Sequence, residues 1–271
     1  MHLKGSWAHY IAQGVALYFV PMLPAGGLVQ YLGMVEKKIR PATIGIIGGV
    51  GPVAGAAMHS EILRFCQSLY GAAEDTEYPD IMLVARAVSG VGNDGVDVHG
   101  NVGHILTRDL SDLLGLGARV VVNACNTTGA AFVELGRALG VQIVDMVGVS
   151  VDAVGVEARK VGLLTSRALR DAGTYAGEVE RSHREAVVLD DENQSVLDGV
   201  IQSLMGGQRS GVDGGLLRVL AYLEGLGAEH IVAGCTELSS VNIGGLTGVP
   251  VSDSVVESAR VAVQLAYWGI S

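Results

Sequence analysis

The sequence predicts an α/β protein made of two similar parallel-sheet domains, and three observations lead to that fold class. Hydrophobic residues make up 49% of the 271 residues and aromatic residues only 5%, with 39 glycines. Such a balance is expected when short Val/Ile strands alternate with Ala/Leu helices and glycine turns. Strand-like and helix-like segments do alternate along the chain, and their order in the first half returns in the second.

The first half contains four strand-like runs separated by helical segments. β-Branched runs that end at glycine or polar residues indicate buried strands, and leucines at 106, 110, 113 and 114 fall on one face of a helix. We predict strands over 43–47, 80–85, 119–124 and 141–144, and helices over 53–70, 104–116 and 128–139.

The second half gives the same succession of elements. We predict strands over 160–164, 187–189, 230–233 and 248–253, and helices over 216–226 and 255–267. Two Rossmann-like halves related by a pseudo-twofold axis place equivalent strand ends opposite each other, with the active site in the cleft between them. The predicted boundaries are an N-terminal extension over 1–41, a first domain over 42–139 plus 254–271, and a second domain over 140–253.

The repeat is visible without a gap in two stretches 110 residues apart. L-L-G-L-G-A-R-V-V-V-N-A-C ends at Cys125 and L-E-G-L-G-A-E-H-I-V-A-G-C ends at Cys235, with seven of thirteen positions identical. Each cysteine follows a predicted strand, and ligands of open parallel sheets bind outside the carboxyl ends of strands. We therefore expect the two thiols to face each other across the cleft.

Two facing thiols indicate acid–base chemistry at a carbon atom. A thiolate can remove a proton from one face while a thiol delivers a proton to the other, and this inverts a stereocentre. The alternative for one cysteine at a strand end is a small buried hydrophobe. Cys66, inside the predicted helix 53–70, is interpreted in that way. The matched repeat positions favour a catalytic pair for Cys125 and Cys235.

The motifs around these cysteines resemble the aspartate/glutamate racemase superfamily, in particular its cofactor-independent, aspartate racemase-like members. They are T-I-G-I-I-G-G-V-G-P near the start, A-C-N-T-T at Cys125, A-G-C-T-E-L at Cys235, and K-V-G-L-L-T-S opening the second half. The resemblance implies an amino-acid racemase that needs neither PLP nor another cofactor nor a metal. It also implies a small-molecule amino-acid substrate, a homodimer, and Cys125 and Cys235 as the acid/base pair.

The resemblance further implies a substrate-binding set around the cysteines. Asn126 and Thr127 would hold the substrate carboxylate or amino group from one side and Thr236 from the other, and Glu237 would orient groups near the second cysteine. From the residues alone, Thr127 or Thr128 could equally cap a helix. The implied set is Gly49, Gly51, Asn126, Thr127, Thr128, Thr165, Ser166, Thr236 and Glu237.

Two departures from the family pattern leave the substrate open. The segment V-S-G-V-G-N-D-G lacks the arginine that grips a side-chain carboxylate in aspartate-specific members, and Asp171 stands where a lysine is expected. Arg86 and Arg167 are candidate replacements, or solvated surface residues. The alternative functions are a related cysteine isomerase or lyase acting on a non-amino-acid carboxylate, and a non-catalytic ligand-binding member.

Charge and local motifs bear on other classes of function. A net charge of −10 argues against nucleic acid as a partner. G-V-G-P-V-A over 49–54 fits a dinucleotide-binding turn. In such proteins an acidic residue at the end of the second strand binds the ribose of the nucleotide, and the second predicted strand here has none. Arg86, near that strand end, leaves a variant that binds NADP open.

Cysteine count and the apolar N-terminus bear on location. Three cysteines, an odd number, favour a reduced cytoplasmic protein over a disulfide framework. Residues 8–34 are apolar, but Pro21 and Pro24 interrupt them, so we expect no membrane span. A signal peptide, an extension packed on the body, and a natural start at Met34 remain open for this segment.

Overall fold

The computed structural model describes residues 40–89, 91–92, 95–96 and 101–268, and the predicted extension lies outside them except for residues 40 and 41. Ten strands alternate with nine helices in this described part. The strands are β1 Ile44–Ile47, β2 Ile81–Val84, β3 Val91–Gly92, β4 Gly95–Val96, β5 Val120–Asn123, β6 Gln142–Val144, β7 Lys160–Leu164, β8 Glu185–Val187, β9 His230–Ala233 and β10 Val251–Asp253. The helices are α1 Pro52–Tyr70, α2 Val102–Gly115, α3 Gly129–Leu139, α4 Met146–Asp152, α5 Arg167–Asp171, α6 Thr174–Arg181, α7 Asp191–Met205, α8 Val212–Gly225 and α9 Ser254–Trp268. Single 3₁₀ turns occupy Asp75–Glu77, Thr236–Ser240 and Ile243–Gly245.

Two four-stranded parallel sheets form the body of the molecule, and they have the same topology. The first sheet has the order β2-β1-β5-β6 and the second the order β8-β7-β9-β10. In each half the first strand of the chain therefore lies between the second and the third, and the fourth lies at an edge. The predicted fold class is confirmed, because two similar parallel-sheet halves follow one another in the chain.

The repeated sequence unit folds into the same local structure twice. Helices α2 and α8 begin and end 110 residues apart, and each is followed by a glycine with positive φ, Gly117 at 90° and Gly227 at 89°. Only glycine adopts this backbone conformation without steric cost, so it turns the chain into the next strand in both halves. The central strands β5 and β9 are wholly buried, as expected for parallel strands covered on both faces.

A second matched pair of glycines explains how each helix reaches its sheet. A Cβ at Gly45 of β1 would lie 3.1 Å from side-chain atoms of Ala118 and Leu113, and a Cβ at Gly162 of β7 would lie 3.1 Å and 3.2 Å from Ala228 and Leu223. These neighbours belong to the identical positions of the repeat. The missing side chain lets the same leucine and alanine pack on the first strand in both halves.

The structure differs from the sequence prediction at several places. Strand β8 covers 185–187 instead of 187–189. Strand β6 lies in the predicted second domain, beyond residue 139, yet it pairs with β5 in the first sheet, because a fourth parallel strand completes that sheet's edge. Helices α4, α5, α6 and α7 and the short β3–β4 hairpin were not predicted. The remaining domain boundaries stay predictions.

Helix α9 belongs to the core of the first half even though it ends the described chain. It packs on α1 and β5, and its buried alanines and valines join the cluster around Ile44 and Met58. Among the described residues, no helix combines the length and apolarity that crossing a membrane requires.

Candidate active site

The two cysteines of the repeat lie at equivalent places in the two sheets. Cys125 stands two residues after β5 and Cys235 two residues after β9. Their exposed fractions are 8% and 7%, and both are free thiols. The repeat thus places one nearly buried thiol at the carboxyl edge of each sheet.

The loop after Cys125 surrounds that thiol with hydrogen-bond donors. The backbone N–H groups of Thr127 and Thr128 and the Thr128 hydroxyl favour the thiolate, whereas burial, the largest influence, and the carboxylate of Glu237 raise the pKa of Cys125. Asn123 donates through Nδ2 to Oγ1 of Thr128 at 2.7 Å and to the carbonyl oxygen of Cys125 at 3.1 Å. Thr128 occupies the N-cap position of α3, but its side chain makes no capping bond, so its hydroxyl serves the cysteine loop instead.

The surroundings of Cys235 favour the protonated thiol. Its Sγ donates to Oε2 of Glu237 at 3.2 Å, and the Thr236 hydroxyl donates to the same oxygen at 3.3 Å. Burial raises the pKa of Cys235 well above its ordinary value, and the Glu237 carboxylate and Cys125 raise it further. Of the two thiols, Cys235 is therefore the one whose ionisation is less favourable.

Two contacts join the two halves around these cysteines, Asn126 with Tyr175 and Gly51 with Glu237, and a third contact holds Asn126 within its own half. Asn126, next to Cys125, donates through Nδ2 to Oγ of Ser254 at 2.9 Å and accepts from the Tyr175 hydroxyl at 2.8 Å. Gly51, at the start of α1, lies beside Glu237: a Cβ there would be 3.1 Å from Oε1 of that carboxylate. The cysteine loop of each half is thus in contact with residues of the other.

The predicted glycines Gly49 and Gly51 have different surroundings. A Cβ at Gly49 would lie 2.2 Å from the carbonyl oxygen of Arg86, so this glycine permits a close approach of two backbone segments. Gly51 has φ 73° and forms the N-cap of α1, and its neighbour is Glu237. Only Gly51 of this pair lies against a residue that contacts a cysteine.

The other predicted residues of the second half lie at the carboxyl end of β7. Thr165 and Ser166 are nearly buried, and β7 pairs with β9, which leads to Cys235. The carbonyl oxygen of Thr165 accepts from Nε2 of Gln194 at 3.1 Å. The Oγ of Ser166 is buried and has no hydrogen-bond partner among the described residues. An unpaired buried hydroxyl is costly, which makes Ser166 a candidate for contact with a ligand.

Both candidate arginines are ion-paired within the protein. Arg86 binds Asp109 and Asp112 of α2, and the Asp109 side chain is fully buried. Nε of Arg167 donates to Oδ2 of Asp198 at 2.8 Å, and its Nη2 donates to Oγ of Ser195 at 3.1 Å. The charge of each guanidinium is therefore balanced by carboxylates of the protein itself. Neither group needs a substrate carboxylate or a nucleotide phosphate as its partner.

A comparison with protein families identifies the kind of enzyme to which this site belongs. The family model described as Asp/Glu/Hydantoin racemase matches residues 47–266, which include both cysteines, the whole second sheet and all of the first sheet except the start of β1. The chain belongs to the Asp/Glu/hydantoin racemase family. As a member of that family it is an isomerase of the racemase type, and the resemblance inferred from the motifs is confirmed.

Individual racemases show the same similarity. The broad-specificity amino-acid racemase RacX of Bacillus subtilis is 23% identical over 226 residues, which cover 83% of this chain and 99% of that protein. The structure of an aspartate racemase homologue from Pyrococcus horikoshii is 24% identical with a TM-score of 0.67, covering 83% of this chain and 99% of the other. A glutamate racemase structure from Bacillus anthracis has a TM-score of 0.60 at 19% identity, covering 86% and 84%. The structural similarities establish the racemase fold.

Sequence reasoning missed three residues of this racemase that contact the cysteine loops. They are Asn123, which holds the loop of Cys125, and Tyr175 and Ser254, which hold Asn126. Tyr175 and Ser254 lie 49 and 128 residues from Asn126, and no local motif signals such distant contacts. Asn123 is the last residue of β5, and a polar side chain at the end of a buried strand was a signal available in the sequence.

Proposed function

We propose that this racemase inverts the Cα atom of an amino acid by two-base proton transfer between Cys125 and Cys235. The observation that carries the proposal is the placement of two nearly buried thiols at matched strand ends of two sheets with the same topology. A thiolate on one face removes the Cα proton, and the electron pair of the broken C–H bond delocalises into the substrate carboxylate. The thiol on the other face then donates its proton to form the new C–H bond, and the two cysteines exchange protonation states.

The different surroundings assign a resting role to each cysteine. Cys125 receives thiolate-favouring hydrogen bonds from Thr127 and Thr128, whereas Cys235 donates its S–H to the Glu237 carboxylate. Environments that push two pKa values apart mark the base and the acid of a pair. Burial raises the pKa of both thiols, and that of Cys235 further, so Cys125 ionises more readily and acts as the base with Cys235 as the acid. Turnover in the opposite direction starts from the reverse state.

Polar groups at the same sheet edges are suited to hold the substrate's carboxylate and amino groups. The amide of Asn126 has one N–H that is free of the bond to Ser254, and the buried hydroxyl of Ser166 has no hydrogen-bond partner in the described part of the chain. A carboxylate bound between such donors would satisfy them and contribute to substrate binding. The half-buried carboxylate of Glu237 is suited to attract the substrate's ammonium group.

The side chain of the preferred substrate lacks a carboxylate. Arg86 and Arg167, the cations expected to grip such a group, are bound to Asp109, Asp112 and Asp198. Glu237 adds a negative charge beside the reacting thiols, and like charges in a partly buried site repel. The similarity to a racemase named for broad specificity points in the same direction.

Proton NMR in D₂O tests the reaction directly. We expect loss of the Cα–H signal and appearance of the D-isomer when the enzyme is incubated with L-alanine, L-methionine or L-leucine. Replacing Cys125 or Cys235 by alanine should abolish racemisation in both directions, while Cys66→Ala, a third buried cysteine in α1, serves as the matched control and keeps its activity. Substantial two-way turnover in either single variant would contradict the two-base scheme.

The substrate statement has its own outcome in the same experiment. We expect exchange with neutral amino acids to exceed exchange with L-aspartate and L-glutamate at equal concentration. Faster exchange with the acidic pair would overturn the proposed side-chain preference but leave the racemase mechanism intact. A cytoplasmic location remains a prediction, which the three free thiols support. A homodimeric state also remains a prediction.

A further inference from the structure

Tyr175 of α6 touches both cysteine loops, and neither the repeat nor the family motifs indicate it. Its hydroxyl donates to Oδ1 of Asn126, the residue after Cys125, at 2.8 Å. Its ring lies on Gly234, the residue before Cys235: a Cβ there would be only 2.7 Å from Cε2 and Cζ of the tyrosine. One side chain, 1% exposed, therefore spans from the loop of one thiol to the loop of the other.

Hydrogen bonds from two different helices hold the amide of Asn126 in place. Burial raises the pKa of Tyr175 far above its ordinary value, so the phenol stays protonated and donates. The amide oxygen is the acceptor of that bond, and the amide nitrogen donates to Oγ of Ser254 at 2.9 Å. The two hydroxyls hold the amide at both of its polar atoms, and in this arrangement one N–H of the amide remains available to a ligand.

We propose that Tyr175 is a positioning residue that holds the Asn126 amide as a donor to the substrate carboxylate. This inference rests on the proposed function, because it assigns the remaining N–H of Asn126 to that substrate. Tyr175 also packs in the apolar cluster with Leu169 and Val179. A phenylalanine retains that packing and removes only the hydroxyl, so Tyr175→Phe separates the positioning role from the packing role.

We expect Tyr175→Phe to raise KM for the amino-acid substrate by roughly tenfold in both directions, as the loss of one buried hydrogen bond predicts. The value of kcat should change by less than about threefold, because both thiols remain in place. Ser254→Ala, which removes the partner of the amide nitrogen, should change KM in the same direction. This second variant tests the same amide from its other side if Tyr175→Phe is poorly folded.

A double-mutant cycle shows whether Tyr175 acts through Asn126. In an Asn126→Ala background the hydroxyl has no amide to hold, so adding Tyr175→Phe should leave KM nearly unchanged. The matched control is Tyr222→Phe, a tyrosine of α8 whose hydroxyl lies near Asp190 and away from both cysteine loops. That control removes a hydroxyl from the same half of the molecule and should retain the wild-type KM and kcat.

Three results are decisive. A KM for Tyr175→Phe equal to that of Tyr222→Phe would overturn the positioning role, and so would full additivity with Asn126→Ala. Either result leaves the racemase mechanism intact if the wild-type protein exchanges Cα–H. An absence of exchange on every amino acid in the wild-type protein would instead overturn the proposed function, and the inference with it.

Discussion

The Sγ atom of Cys235 donates a hydrogen bond to Oε2 of Glu237 at 3.2 Å, and this contact distinguishes the two thiols of the repeat. The Thr236 hydroxyl donates to the same oxygen, and Gly51 of the first half lies against the other carboxylate oxygen. A carboxylate that accepts the S–H bond stabilises the thiol over the thiolate. The repeated unit is thus symmetric in backbone but asymmetric in the ionisation of its cysteines.

Glu237→Gln should lower the pKa of Cys235 toward its ordinary value, because the amide keeps the shape of the carboxylate and removes its negative charge. Only a thiolate reacts with iodoacetamide, so a raised pKa moves the onset of alkylation to higher pH. In the wild-type protein we expect Cys125 to be alkylated faster than Cys235 at neutral pH. In the variant the alkylation of Cys235 should begin at lower pH, as followed by peptide mass spectrometry.

Glu257→Gln is the matched control for this substitution. Glu257 lies on α9 and pairs with Arg260, so its charge should leave the alkylation of Cys235 unchanged. Equal alkylation rates for Cys235 in the wild-type protein and in Glu237→Gln would show that Glu237 does not control this thiol.

The sequence was sufficient to predict the architecture because the repeat is local and without gaps. The unit that ends at Cys125 and at Cys235 contains its own helix, turn and strand, so one alignment located two sheets and two thiols. Gly45 and Gly162 also occupy equivalent positions, because each lies against the leucine and the alanine of the repeated unit in its own half.

The missed features depend on contacts between distant segments or on weak local signals. Tyr175 and Ser254 contact Asn126 from 49 and 128 residues away in the sequence. Helix α7 was missed although its N-cap Asp190 accepts from the backbone of Asn193. Strand β8 begins two residues before the predicted range 187–189, and Val188 within that range is 41% exposed.

Gly234→Ala should destabilise the protein and lower its activity. A Cβ at this position would meet the Tyr175 ring at 2.7 Å and Cγ2 of Thr165 at 3.0 Å, and overpacking of this kind costs about 1–3 kcal/mol. Because Gly234 directly precedes Cys235, the displaced backbone should also move the thiol. The measurements are the free energy of unfolding in urea and kcat/KM.

Gly199→Ala provides the comparison for that substitution. Gly199 lies inside α7, and no atom stands within 4 Å of the position its Cβ would take. Alanine there should stabilise the helix by about 0.5–1 kcal/mol and leave kcat/KM unchanged. A Gly234→Ala variant as stable and active as Gly199→Ala would show that the ring does not constrain this loop.

Arg86→Ala should lower Tm by several degrees without changing the order of substrate preference. The substitution leaves the buried carboxylate of Asp109 without its cation, which is unfavourable in an apolar interior. Arg181→Ala, which breaks an exposed pair with Glu178, should change Tm very little. A selective loss of turnover of aspartate in Arg86→Ala would instead show that this arginine binds the substrate side chain.

His230 should make the stability of the protein fall as the pH is lowered below neutrality. Its ring is 5% exposed, with Nε2 2.8 Å from Oγ of Ser252, and burial, with a smaller effect of Arg184, lowers its pKa. A lowered pKa in the folded state means that the unfolded chain binds more protons. The contribution of His230 to stability is therefore complete above the unfolded pKa of about 6.5 and declines as the pH falls through and below that value.

His230→Gln keeps a polar partner for Ser252 but does not titrate, so its Tm should fall less than that of the wild-type protein between pH 7 and pH 5. Because His230 begins β9, at the end of the strand away from Cys235, the variant should keep its kcat at neutral pH. Parallel Tm curves for the two proteins would show that His230 is not the group responsible.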